Sequence, residues 1–80
     1  MSDDIFGIPP KMLQQYAERA RNGEADDYYG TGPTKMCDFW VGNIEVCIIG
    51  YDKSSPVGHQ RKLTTAEMQR KRAAKAAVSP

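Results

Sequence analysis

Apolar residues recur along this chain with two different periods, and the change of period marks its elements. In IPPKMLQQYAERARNG, Leu13, Tyr16, Ala17 and Ala20 fall at i, i+3, i+4 and i+7, the spacing that lines one side of an α-helix. Pro9 and Pro10 suit a first turn, where the missing N–H groups would have no partner within the helix anyway. Arg19 and Arg21 stand at the end of the helix dipole that favours cations. Asn22-Gly23 supplies a stop, because Gly23 can take the left-handed conformation. The pattern predicts a helix from about Pro9 to Asn22.

The period then falls to two. FWVGNIEV, residues 39 to 46, reads as two strands around Gly42-Asn43, a two-residue turn expected to be type II′ with Gly42 first. That turn sets Val41 opposite Ile44, Phe39 opposite Val46 and Cys37 opposite Ile48. One face of the hairpin is then wholly apolar: Cys37, Phe39, Val41, Ile44, Val46 and Ile48. The other is mixed: Met36, Asp38, Trp40, Glu45, Cys47, Ile49 and Tyr51. A slip of one residue would exchange the two faces, so the apolar one pins the register. The first helix is the amphipathic element available to cover it, through Leu13, Tyr16, Ala17 and Ala20.

A second helix is announced by LTTAEMQRKRAAKAAV. Thr64 followed by Glu67 forms a capping box, and Leu63 with Met68 forms the hydrophobic staple that accompanies one. Beyond this start the helix lacks an apolar face. Lys71, Arg72 and Lys75 lie at i+3, i+4 and i+7 from Met68, and Ala66, Ala73 and Ala77 share another side with Arg70. Its first turn is expected to dock and the remainder to project. Residues 1–7 read as polar and loose, and residues 24–35 and 52–62 as loops broken by Gly30, Gly32, Pro33, Ser54, Ser55, Pro56 and Gly58. Ser2–Phe6 or Tyr28–Thr34 is the candidate third strand. The fold class is α+β: an N-terminal amphipathic helix packed on a small antiparallel sheet built round the hairpin, then a basic C-terminal helix. Residues 1–62 form the compact domain and 63–80 the basic tail.

Charge sharpens this picture. The net charge of +1 conceals a basic end: residues 57–80 carry Arg61, Lys62, Arg70, Lys71, Arg72 and Lys75 against Glu67 alone, while acids outnumber bases in the rest of the chain. Eighty residues leave little material for a deep catalytic cleft. No basic start followed by an apolar run and a cleavage site is present, and no apolar run approaches a membrane span. The chain therefore reads as cytoplasmic, with reduced cysteines.

Candidate chemistry is thin. The hairpin register points Cys37 and Cys47 to opposite faces, which argues against a disulfide, and their spacing with His59 matches no zinc knuckle. Cys47, near Asp38 and Glu45, should have no lowered pKa and makes a poor nucleophile. His59 with Ser54 or Ser55 has no carboxylate placed to orient it, Asp26-Asp27 reads as a solvated acidic pair, and Gly30-Thr31-Gly32 lacks the following helix and lysine of a phosphate loop. No enzyme, cofactor or metal is expected.

Binding surfaces are the stronger signal. Trp40, Met36, Ile49 and Tyr51 form an aromatic and aliphatic patch on the mixed face, and Tyr28 and Tyr29 a pair on an acidic loop; these are residue types that interfaces favour. Few apolar residues remain to cover both faces of the hairpin, so a protein partner is expected there. The basic residues Arg61, Lys62, Arg70, Lys71, Arg72 and Lys75 would meet an acidic protein or nucleic acid. With Gln69 as the sole base-edge reader among the helix's charges, nucleic acid would be held by its backbone, without strong sequence choice. In size and composition the chain resembles the small early proteins with which bacteriophages bind host machinery. The resemblance implies a non-enzymatic protein that docks on a larger assembly and inhibits or redirects it. The alternatives are a nucleic-acid-binding accessory protein and a structural subunit of a particle.

Overall fold

The structure is a computed structural model that describes residues 5–30 and 33–78. Chain order runs β1 (Ile5–Gly7), α1 (Pro10–Arg21), β2 (Asp27–Tyr29), β3 (Met36–Val41), β4 (Ile44–Ile49), β5 (Val57–Lys62) and α2 (Thr65–Val78). The five strands form one antiparallel sheet in the order β1-β5-β4-β3-β2. The fold is α+β, and its first helix follows a strand.

The β3–β4 hairpin has the expected register, with Val41 opposite Ile44, Phe39 opposite Val46 and Cys37 opposite Ile48. Gly42 has φ +61°, whereas Asn43 is not among the residues with positive φ. A type I′ turn needs positive φ at both central positions, so the geometry agrees with type II′. The apolar face packs under α1: Ala17, Ala20, Cys37, Phe39, Val46 and Ile48 make one buried cluster, edged by Ile8, Leu13, Tyr16, Ala25, Ile44 and Tyr51. Tyr16 tilts onto Phe39 with ring centroids 4.8 Å apart. Small Ala17 and Ala20 let the helix approach the sheet closely, and the bulk is supplied from the strands. Asn22 caps α1, and Gly23 follows at φ +82°.

Three sequence expectations change. Residues 52–62 are not all loop, because Val57–Lys62 forms β5 along the free side of β4. Both candidate third strands exist in part: Ile5–Gly7 joins β5 and Asp27–Tyr29 joins β3; Ser2–Asp4, Thr31 and Gly32 lie outside the described residues. Val57–Lys62 carries almost no apolar alternation to betray a strand. Gly58 explains how it is nonetheless built into a core. A Cβ there would come 2.8 Å from the Cys47 carbonyl oxygen and 3.0 Å from the Cδ1 atoms of Ile48 and Ile8. The bare backbone lets Ile8 close over this end of the core in place of a side chain from β5 itself.

The third change concerns α2. Its start is as expected: Thr64 N–H donates to Glu67 Oε1 (2.9 Å), Glu67 N–H donates to Thr64 Oγ1 (3.1 Å), and Leu63 and Met68 are buried. The remainder does not project. Met68, Lys71, Arg72 and Lys75 share the side turned to the mixed face of the sheet. Leu63 N–H donates to Asn43 O (2.8 Å), Asn43 Nδ2 to Thr65 Oγ1 (3.1 Å), and Arg72 Nη2 to Gly42 O (3.0 Å). The helix thus crosses the hairpin end of that face, held by polar contacts where apolar ones are lacking.

Replacing a strand-interior glycine by alanine ordinarily stabilises, by about 0.5–1 kcal/mol. Gly58→Ala is expected to do the reverse, lowering the unfolding free energy by about 1–3 kcal/mol through overpacking against Ile8 and Ile48. Urea denaturation checks this; an unchanged or raised midpoint would show that Ile8 does not close the core there.

Candidate binding face

Alternation along the strands sends Met36, Asp38 and Trp40 of β3, Glu45, Cys47 and Ile49 of β4, and Val57, His59 and Arg61 of β5 to the side of the sheet opposite α1. Tyr29, opposite Met36 on β2, joins them. This side divides into a closed half and an open half.

The closed half lies beneath α2, where Glu45 is the anchor. It is buried, yet Arg61 Nη2 lies 3.0 Å from its Oε1 and Lys71 Nζ 3.0 Å from its Oε2. Burial opposes its ionisation, but the adjoining cations of Lys71 and Arg61 outweigh it and hold the carboxyl below its ordinary range. Lys75 places its ammonium 5.8 Å from the centre of the Trp40 ring and 3.9 Å from Asp26. Asp26 in turn accepts the Trp40 backbone N–H through Oδ2 at 2.8 Å, which blunts the edge of β3 beyond β2. Trp40 is therefore half-buried against α2.

The open half carries Tyr29, Met36, Ile49, Val57 and His59 around a polar floor of Asp38 and Cys47. Tyr29 and Val57 are exposed, while Met36, Ile49 and His59 are half-buried. The floor is locked by one hydroxyl. Tyr29 donates to Asp38 Oδ1 (2.9 Å) and lies 3.3 Å from Cys47 Sγ. Burial pushes the Asp38 carboxyl up to about 6, against the Tyr29 hydrogen bond and with help from the neighbouring Glu45 charge. Burial likewise raises the Cys47 thiol, and the Tyr29 hydroxyl is raised far above its usual range by burial and by its two partners. Cys37, on the α1 side of the sheet, is pushed up to about 12, chiefly by burial. The cysteines are free and face opposite ways, as the hairpin register requires.

The predicted residues are thus divided among three places. Tyr29, Met36 and Ile49 come together on the open half. Trp40 lies under α2. Tyr28 and Tyr51 stand on the α1 side: the Tyr28 hydroxyl donates to Ala20 O (2.7 Å), its ring meets Tyr51 edge-on at 5.7 Å, and Tyr51 O accepts from Arg21 Nη1 (2.8 Å). Tyr51 was expected on the mixed face by alternation, but Gly50, at φ +69°, breaks the alternation before it. The basic set separates too. Arg61 and Lys71 pair with Glu45, Arg72 binds the hairpin turn, and Lys75 lies on Trp40. Lys62, opposite Ile44, belongs to the α1 side. Arg70 is exposed on α2. Val57 and His59 were missed by sequence reasoning because they sit in a segment read as loop.

The buried Asp38 carboxyl makes stability depend on pH. Its pKa in the fold, about 6, exceeds its ordinary value of 3.8, so the folded state binds the extra proton and stability is lost as pH rises from about 4 to about 6. Glu45, shifted the other way, loses its contribution only as pH falls below its ordinary range. Asp38→Asn keeps an acceptor for Tyr29 without the charge. Its unfolding free energy relative to the parent chain is expected to rise between pH 4 and pH 7, by on the order of 2 kcal/mol; parallel profiles for the two proteins would contradict this.

Among the described residues no helix is long and apolar enough to cross a membrane. No family model matches the chain, and neither a curated protein nor a solved structure does.

Proposed function

We propose that this chain is a non-enzymatic binding protein that docks on a larger protein assembly through the open half of the sheet and acts by occupying a surface. One observation carries the reading. A single sheet face is half-covered by α2, while Tyr29, Met36, Ile49 and Val57 beside it stand without a covering element among the described residues. Aromatic, methionine and aliphatic side chains over a rigid floor are the composition of an interface core. The Tyr29–Asp38–Cys47 contacts hold that floor in one shape before any partner arrives, which reduces the ordering cost of binding.

The partner fitted to this face presents an apolar patch with acidic groups at its border, because Arg61, two residues along β5 from His59, and Arg70 flank the open half on the α2 side. The mechanism is occlusion or redirection of the assembly, with no bond made or broken. The nucleic-acid alternative has less support. It needs a continuous run of cations, whereas Lys62 is on the other side of the sheet, Arg72 is turned to the hairpin carbonyl of Gly42 and Lys75 to the Trp40 ring.

The test is affinity capture with the full chain from nuclease-treated lysate, beside Ile49→Asp. A stoichiometric protein complex that survives nuclease and is lost in Ile49→Asp, with the circular dichroism spectrum unchanged, is the expected result. Loss of about 2 kcal/mol or more is the scale for a central interface residue. Capture that vanishes with nuclease, capture of further copies of this chain alone, or a complex indifferent to Ile49→Asp contradicts the reading.

A further inference from the structure

Beside the open half, a groove of about 320 Å³ runs between α2 and the end of β5, lined by Arg61, Leu63, Glu67, Arg70, Lys71 and Ala74. We infer that this groove takes an acidic, partly apolar peptide segment of the protein partner, a proposal that rests on the docking reading above and supplies its second contact. The basis is the way its cations are held. Buried Glu45 stands beneath them with one carboxylate oxygen on Arg61 and the other on Lys71, both at 3.0 Å, which fixes two long side chains side by side. Arg61 and Lys71 remain 42% and 37% exposed, so the pair can be reached from solvent. The Nε of Arg61 is buried with no hydrogen-bond partner among the described residues, a donor that an incoming carboxylate would satisfy with a small shift of the guanidinium. Arg70 adds a third cation on the same wall.

The groove favours a peptide over a nucleic-acid backbone. Glu67 is part of its lining, and hydrogen bonds from the Thr64 backbone N–H and hydroxyl hold its carboxyl below the ordinary range. A uniform row of phosphates would set one of them against that charge in any register, whereas a peptide can set its carboxylates opposite Arg61, Arg70 and Lys71 and place neutral residues elsewhere. Leu63 and Ala74 provide apolar surface for those residues. With Glu45 and Glu67 set against three cations, the site has only a modest positive excess, which suits a few spaced carboxylates better than a polyanion.

The experiment is a fluorescence anisotropy titration of the full chain against a short labelled peptide of glutamates and leucines, with single-stranded DNA of the same length in parallel. Arg70→Glu is expected to weaken peptide binding about tenfold, Arg70→Lys to keep most of it, and the DNA to bind more weakly than the peptide. Lys62→Glu makes the same change in net charge from the opposite side of the sheet, and it is expected to leave peptide binding unchanged. Ile49→Asp should also bind the peptide as the parent chain does, so a failure of the open half and a failure of the groove are read separately. The proposal is overturned by absent peptide binding, by DNA binding tighter than peptide, or by equal losses in Arg70→Glu and Lys62→Glu.

Discussion

The two-residue turn at Gly42 and Asn43 is the constraint on which the rest of this molecule depends. By fixing the register of β3 against β4 it decides that Cys37, Phe39, Val46 and Ile48 meet α1 while Asp38, Trp40, Glu45 and Cys47 face the other way. A shift of β4 by one residue would turn Glu45 and Cys47 toward the core and strand Val46 and Ile48 outside it. The same turn then receives the second helix, since the carbonyls of Gly42 and Asn43 accept from Arg72 and from the Leu63 N–H. One local geometry therefore sets both which residues form the second face and which end of it is closed.

What closes that end is unusual for a helix. Besides the buried Met68, α2 turns Lys71, Arg72 and Lys75 inward to Glu45, Gly42 and Trp40, while its alanines are exposed. Long lysine and arginine stems cover apolar surface while their heads find oxygen or a ring face. Such contacts place a helix more than they stabilise it, because desolvating Glu45 offsets much of the attraction from its two cations. Leu63 and Met68 supply the apolar hold, and the charges select the orientation. The helix consequently stops at the hairpin end, and Tyr29, Met36, Ile49 and Val57 are left beside it.

Local signals in the sequence were sufficient for the hairpin, its register, the span of α1 and the capped start of α2, because each is specified by neighbours within a few residues: a Gly-Asn turn, a helical apolar stripe, a capping box with its staple. The missed elements depend on distant ones. Val57–Lys62 is a strand because β4 offers it an unpaired edge and Ile8 lends it a side chain, neither of which its own residues reveal. The course of α2 depends on Glu45 and Trp40, far away in sequence, and so Trp40 was read as displayed and the basic residues as one patch. Of the candidate binding residues, Tyr29, Met36 and Ile49 share a surface; Tyr28 and Tyr51 instead brace the end of α1, because Gly50 redirects the chain before Tyr51.

The division of the second face into a closed and an open half is the claim on which the functional reading stands. It is tested most directly by nuclear Overhauser contacts in the full chain in solution. Contacts are expected from the Trp40 indole to the methylenes of Lys75, and none from the side chains of residues 65–77 to the methyl groups of Met36, Ile49 or Val57. Contacts from α2 to those methyls, or random-coil shifts throughout residues 69–78, would contradict it: in the first case the open half is covered by the chain's own helix, and in the second the closed half is not closed.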